Sequence, residues 1–220
     1  MVLGLSQRIA GIDEAGRGPV IGPLVIAGVV IEPLQEDALI EWGVRDSKDL
    51  TPQRREQLDR QIRQLAKQVE VLEVSAQDID KQRRLKRSLN TLEADWMAQV
   101  LNRLTWHTAY VDASDVNADR YGRMIATQLK TPRKIISEHK ADSIYPVVAA
   151  ASIIAKVQRD RRIREFHRSY GDFGSGYPND PKTKRFLVEW LRSHDNFPAI
   201  VRETWETARN IRVRKGQRKL

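Results

Sequence analysis

A chain of 220 residues with 40% hydrophobic and 30% charged side chains is long enough to bury a sizeable core, as one domain or one domain plus an appendage. With no cysteine it has neither disulfides nor thiolate metal sites, and it carries no run of about 18 uncharged apolar residues that would span a membrane. The formal net charge of +9 favours a polyanionic partner, above all nucleic acid, because Lys and Arg release counterions from phosphates. The opening MVLGLSQRIAGIDEAG lacks the basic flank, apolar stretch and cleavage site of a signal peptide, so a cytoplasmic protein is expected.

In chain order, residues 8–13 and 23–31 read as two buried strands joined by a tight turn, with β-branched residues inside and Gly and Pro at their ends. Thr51-Pro52 starts a helix, threonine as cap and proline at the first helical position, and Leu58, Ile62 and Leu65 supply its apolar stripe. Residues 69–75 alternate like a half-exposed strand. From 76 to 104 one helix is expected, with Leu85, Leu89, Leu92, Trp96 and Val100 on its buried face. HTAYVDAS and PRKIISEH are short strands separated by a polar helix near 117–129. A long helix then starts at Pro146 and stops at Gly171, small and apolar in its first half and strongly basic in its second. GDFGSGYPNDPKT is a loop in which Asn179 or Asp180 caps the helix carrying Phe186, Leu187, Trp190 and Leu191. A last helix is expected from about Pro198, and the tail RNIRVRKGQRKL has nothing to bury and is expected to fray. Strands interleaved with helices, opened by a hairpin, indicate an α/β fold with a mixed sheet flanked by helices and a helical C-terminal extension. The expected division is 1–175 for the sheet domain, 176–212 for the extension and 213–220 for a basic, flexible tail.

Acids sit where strands end. Asp13-Glu14 closes the first strand, Asp112 closes TAYVD, and Asp142 follows KIISE just before the long helix. In an open α/β sheet such ends gather on one edge, where sites are built. An acid after a strand also serves as a helix cap or a solvated loop residue, so the reading depends on convergence. Converging carboxylates repel unless a hard cation neutralises them, and Mg²⁺ suits a few carboxylates, waters and substrate phosphate. Two such ions about 3.5–4 Å apart would support phosphoryl transfer by in-line displacement. His107, His139, His167 and His194 show no zinc spacing, although His139 is close enough in sequence to Asp142 to adjust a proton there.

GIDEAGRGPVIGPLV, GVRDSKDLTP, YVDA, HKADSIYPVVAAASIIAKVQRD and GSGYPNDPKT, in that order over residues 9 to about 184, resemble the signature segments of ribonuclease HII, the type 2 ribonuclease H. HKAD and the closing PAIVRETWETARNI look most like the single-chain archaeal members. The resemblance implies a ribonuclease H-like fold and an endonuclease that acts on RNA–DNA hybrids and on single ribonucleotides in duplex DNA, cutting 5′ of the ribonucleotide to leave 3′-hydroxyl and 5′-phosphate ends. It implies that Asp13, Glu14, Asp112 and Asp142 are the catalytic, metal-binding acids and that the cofactor is Mg²⁺ or Mn²⁺. Gly16, Arg17 and Gly18 match the turn that contacts the 2′-hydroxyl and nearby phosphates, and Tyr177 matches the tyrosine that packs on the following sugar.

Lys48 and Lys140 are candidate phosphate contacts. Lys156, Arg159 and Arg162, at three-residue steps, are expected to form one helix face toward the duplex, with KQRRLKRS (81–88) and the tail as further basic surfaces. The C-terminus shows no glutamine-led aliphatic and aromatic motif for a sliding clamp, and a monomer is expected. Two alternatives stand beside this reading. One is a nuclease of similar fold that does not require a 2′-hydroxyl, such as a junction resolvase. The other is a catalytically inactive or non-RNA-specific nucleic-acid-binding protein.

Overall fold

The computed structural model describes residues 7–45 and 47–217; the side chain of Lys48 and those beyond residue 215 lie outside that description. Five strands form one mixed sheet in the order β3-β2-β1-β4-β5, with β1 Ile9–Ala15, β2 Leu24–Ile31, β3 Gln68–Val74, β4 Thr108–Asp112 and β5 Lys134–Glu138. The helices are α1 Glu36–Glu41, α2 Pro52–Leu65, α3 Ala76–Arg84, α4 Leu89–Leu101, α5 Ala118–Ala126, α6 Ala141–Ile144, α7 Pro146–Tyr170, α8 Pro181–Ser193 and α9 Glu206–Gln217. β1 runs antiparallel to β2 and parallel to β4, and β4 runs parallel to β5. The expected α/β architecture, a mixed sheet flanked by helices, is therefore the one observed.

The chain forms two compact units whose segments interleave. Among the described residues, the first comprises 7–15, 25–45, 47–72 and 89–158, and the second 16–24, 73–88 and 159–217. In the first, every residue of β2 is buried, as a continuous apolar run in a central strand requires. One sheet face packs on the small apolar start of α7: Val29, Ile31, Val147, Val148, Ala151 and Ala155 share one core. Gly11 makes this approach possible, because a Cβ there would fall inside the Val147 backbone. Gly28, paired with Ile12 one step along, lies instead under Val100 and Leu104, so α4 covers the other face. In the second unit, Val20, Ile21, Phe173, Leu187, Ile200 and Val201 make a separate core, and Ile21 pairs with Val201 in an isolated antiparallel bridge.

Three expected elements differ. The single helix over 76–104 is two, α3 and α4, separated by Lys86 in the left-handed region (φ 61°). Leu85 is exposed there and Leu89 only partly buried, so the buried stripe starts at Leu92 rather than crossing the break. The helix expected from Pro198 starts at Glu206, because Val201 bridges to Ile21 while the Ile200 carbonyl and the Arg202 N–H bond to Gly22 and Val20 instead. The segment expected to fray is helical through Gln217, with Ile211 packed on the second core, while 218–220 lie outside the described residues. Among the described residues no helix is long and apolar enough to cross a membrane.

Replacing Gly11 with Ala should force β1 and α7 apart and cost about 1–3 kcal/mol, the usual range for overpacking a filled core. Urea unfolding measures it; an unchanged midpoint would mean that the interface yields freely.

Candidate active site

Asp13 and Glu14 are the fifth and sixth residues of β1, not residues beyond it. Ile12 pairs with Val111, so one residue further along the two parallel strands stand Asp13 and Asp112, and Asp112 in turn pairs with Glu138 on β5. Three neighbouring strands thus bring acids to one level of the sheet.

Asp13 is 4% exposed. Its Oδ1 accepts the Glu14 backbone N–H at 2.7 Å, and Ser152 on α7 gives it a side-chain hydrogen bond. Ser152 is itself 3.0 Å from the Ser47 hydroxyl. Burial pushes the Asp13 carboxyl well above the ordinary carboxylate range, and the charges of Glu14 and Asp112 push it further.

Asp112 Oδ1 accepts the Ala141 N–H at 2.8 Å and so anchors the start of α6. The chain reaches that bond by placing Lys140 in the left-handed region (φ 57°), a conformation that costs a non-glycine residue and recurs at functional sites. Asp142 follows in the first turn of α6, 6% exposed. One short tether therefore links the third acid to the fourth. Glu138, which motif reading passed over, accepts the Tyr145 hydroxyl at 2.8 Å, and that bond raises the Tyr145 pKa to about 12. Its charge is committed to a structural partner.

The donor set of carboxylate oxygens, one of them desolvated beside two like charges, fits a hard divalent cation. Among the described residues no group of three or more His, Asp or Glu side chains is already gathered to hold one. His139 is exposed and its ring nitrogens contact the carbonyls of Ala113 and Val116 at 3.3 and 3.2 Å. Lys140 is exposed, and Lys48 lies in the short 3₁₀ turn Ser47–Asp49 with its side chain outside the described residues.

In the second unit, Gly16, Arg17 and Gly18 form a turn whose carbonyls face inward. Arg202 Nη2 donates to the Gly16 carbonyl at 2.6 Å, Nη1 to that of Arg17 at 3.0 Å, and Nε to that of Gly22 at 3.0 Å. Trp205 Nε1 donates to the Gly18 carbonyl at 3.1 Å, and Arg202 lies over the Trp205 ring. Arg202 is 0% exposed. Burial, then the neighbouring charge of Arg159, pull its pKa down to about 9, still cationic at neutral pH. Hydrogen bonds from a charged donor are worth roughly 1.5–3 kcal/mol each, and here they offset a desolvation cost of several kcal/mol.

Gly16 has φ +94°, and a Cβ on it would lie 2.5 Å from Arg159 Nε. Arg159 is 3% exposed, packs 5.7 Å from the Tyr177 ring centroid, and is held below the usual guanidinium pKa by burial. Tyr177 is exposed, with its ring edge 3.5 Å from where a Cβ on Gly18 would stand.

The expected basic face of the long helix does not form. Arg159 is buried, and Arg162 is bonded to Glu73 at 2.9 Å and Glu165 at 2.6 Å. Arg202 was not singled out in the sequence. Its one signal is an arginine set in the apolar run PAIVRETW, a pattern that a helix with one solvent-facing position would share.

The chain is similar to known proteins along most of its length. The family model "Ribonuclease HII" matches residues 10–208. Ribonuclease HII of Pyrococcus furiosus is 50% identical over 207 residues, covering 93% of this chain and 91% of that protein. The crystal structure of the ribonuclease H2 from Pyrococcus horikoshii OT3 superposes with a TM-score of 0.89 at 47% identity, covering 94% and 98% of the two chains. The Archaeoglobus fulgidus RNase HII, solved in a complex with PCNA, gives 0.84 at 46% identity over 93% and 96%.

The Tyr177 loop carries its own pH signature. Asp180 accepts the Ser175 N–H at 2.6 Å, the Ser175 hydroxyl at 2.7 Å and the Lys182 N–H at 2.9 Å, which hold its pKa down to about 2 against an ordinary 3.8. A depressed carboxyl stabilises the fold above its unfolded pKa and loses that contribution as pH falls through the folded one. The urea midpoint of the wild type should therefore exceed that of Asp180→Asn at neutral pH, with the gap closing between pH 3.8 and about 2. A gap constant across that window would contradict the assignment.

Proposed function

The chain belongs to the ribonuclease HII family, and from that premise we propose that it is an endonuclease hydrolysing RNA paired with DNA and cutting 5′ of single ribonucleotides embedded in duplex DNA, to leave 3′-hydroxyl and 5′-phosphate ends. The observation that carries this reading is the Asp13 carboxyl, at one level with Asp112 on the adjacent strand and raised in pKa by burial and then by its acidic neighbours. A protein that only bound phosphates would gain nothing from desolvated negative charge at that position.

Asp13, Glu14, Asp112 and Asp142 are the residues that hold Mg²⁺ or Mn²⁺. Two bound divalent cations would supply an activated water and stabilise the leaving oxygen. The chain's own part is orientation. Ser152 and the Glu14 N–H fix Asp13, and the Ala141 N–H holds one oxygen of Asp112 so that the other is left for a cation. Gly16, Arg17 and Gly18 contact the 2′-hydroxyl, the group that separates RNA from DNA, and the adjoining phosphates. The buried charges of Arg159 and Arg202 make that turn attractive to a phosphate oxygen. Tyr177 packs on the sugar beyond the ribonucleotide, and Lys48 and Lys140 contact phosphates.

The working unit is a monomer acting on hybrids and ribonucleotide-containing DNA, in removal of ribonucleotides during replication and repair in the cytoplasm. The PCNA complex belongs to the A. fulgidus protein. For this chain, nucleic acid is the partner proposed.

End-labelled duplex DNA with one ribonucleotide should be cut once, on its 5′ side, in Mg²⁺ or Mn²⁺ but not in EDTA, and an all-DNA duplex should survive. Asp112→Asn should lower the rate by about 10³-fold or more, since a cation at a phosphoryl centre supplies several kcal/mol. Equal cutting of the all-DNA duplex would keep the acid cluster and reject the reading of the turn. Binding without cutting in either metal would favour the inactive binding protein.

A further inference from the structure

The reading of Gly16-Arg17-Gly18 as the part that recognises the ribonucleotide says nothing of how a glycine-rich turn keeps one shape. Glycine backbones are permissive, and a turn able to flip its peptide planes would present either carbonyls or amides. Here the planes are fixed from beneath. In a trans peptide the carbonyl and the following N–H point in opposite directions. With the Gly16 carbonyl drawn inward by Arg202 Nη2, the Arg17 N–H faces outward; with the Arg17 carbonyl drawn inward by Nη1, so does the Gly18 N–H. The Gly18 carbonyl is held by Trp205, and the next residue, Pro19, has no N–H. Two consecutive amides are thus aimed the same way, an arrangement that favours an acceptor oxygen.

Arg202 is equally fixed. Its backbone N–H donates to the Val20 carbonyl at 2.8 Å, and the bridge between Ile21 and Val201 adjoins it. The next two residues are tied down by Asp80, which accepts the N–H of Glu203 at 2.6 Å and of Thr204 at 3.0 Å. A guanidinium is the side chain suited to this task, since it alone offers planar, divergent donors to three carbonyls at once.

We propose that Arg202, assisted by Trp205, is a positioning residue for ribonucleotide selection. It touches no substrate. It locks the Gly16–Gly18 turn with its amides outward, so that this face accepts a 2′-oxygen in preference to a bare 2′-carbon. The inference rests on the proposed reading of the turn as the ribonucleotide contact.

The test uses the full chain as wild type, Arg202→Lys, Arg202→Gln and Trp205→Phe, all checked by circular dichroism. Fluorescence anisotropy in EDTA gives the Kd of each for a duplex with one ribonucleotide and for the same duplex in DNA alone. The reading is the ratio of the two. The wild type should favour the ribonucleotide duplex. Arg202→Gln should lower the ratio by about 10-fold, Arg202→Lys by less because an ammonium still donates to one or two carbonyls, and Trp205→Phe by about 2- to 5-fold, in line with bonds of about 0.5–1.5 kcal/mol. Affinity for the all-DNA duplex should hold steady. Should Arg202→Gln fail to fold, Arg202→Lys and Trp205→Phe decide the matter. Folded variants that weaken both duplexes equally, leaving the wild-type ratio intact, would overturn the inference and reduce Arg202 to a core residue. A wild-type ratio of one would reject the underlying reading of the turn, and the inference with it.

Discussion

Asp13 lies inside the protein with Glu14 beside it and Asp112 on the next strand, so its ionised form is disfavoured by burial and by like charge together. Much of the first unit serves to hold that carboxyl where it is. Gly11 lets α7 come close enough for Ser152 to reach Asp13, and the alanine-rich start of α7 fits the space that remains. Lys140 accepts a left-handed backbone so that Ala141 can bind Asp112, which also sets Asp142 in a buried turn. In the proposed function, charge placed so unfavourably and so firmly is what a cation and a phosphate answer.

The second unit poses the opposite electrostatic problem. Arg159 and Arg202 are both buried, burial disfavours the charge of each, the charge of Arg159 further disfavours that of Arg202, and aromatic rings lie against both. The same turn that needs Gly16 to make room for Arg159 gives its carbonyls to Arg202. Positive charge stored beneath a backbone turn costs stability in the free protein and becomes useful when an anionic strand arrives. Only Ala15 separates Glu14 from Gly16 in the chain.

The strands and their acids were legible in the sequence because both signals are local: β-branched runs, and carboxylates where those runs stop. Capped helix starts at Thr51-Pro52 and Asp180-Pro181 were equally plain, since a side-chain oxygen before proline has a direct mechanism. Long-range partners were not. Periodicity carried the 76–104 helix across Lys86 because leucines continue in step, although Leu85 faces solvent. Residues 198–205 look helical by composition, yet 200–202 pair with 20–22, about 180 positions away in the chain, and no local pattern records this. For the same reason Arg159 read as part of a basic face toward the duplex, and nothing local marked Arg202.

In the proposed function, the acids of β1 and β4 are kept together at a cost that a divalent cation repays. The most direct measurement is thermal unfolding of the wild type and Asp112→Asn, without nucleic acid, over a Mn²⁺ titration from an EDTA baseline. Asn retains the oxygen that accepts the Ala141 N–H while removing one charge beside Asp13. Asp112→Asn should be at least as stable as the wild type in EDTA, and Mn²⁺ should raise the wild-type Tm far more than that of the variant, as expected for a ligand bound only by the folded state. A variant clearly less stable in EDTA, or one that Mn²⁺ stabilises as much as the wild type, would contradict it.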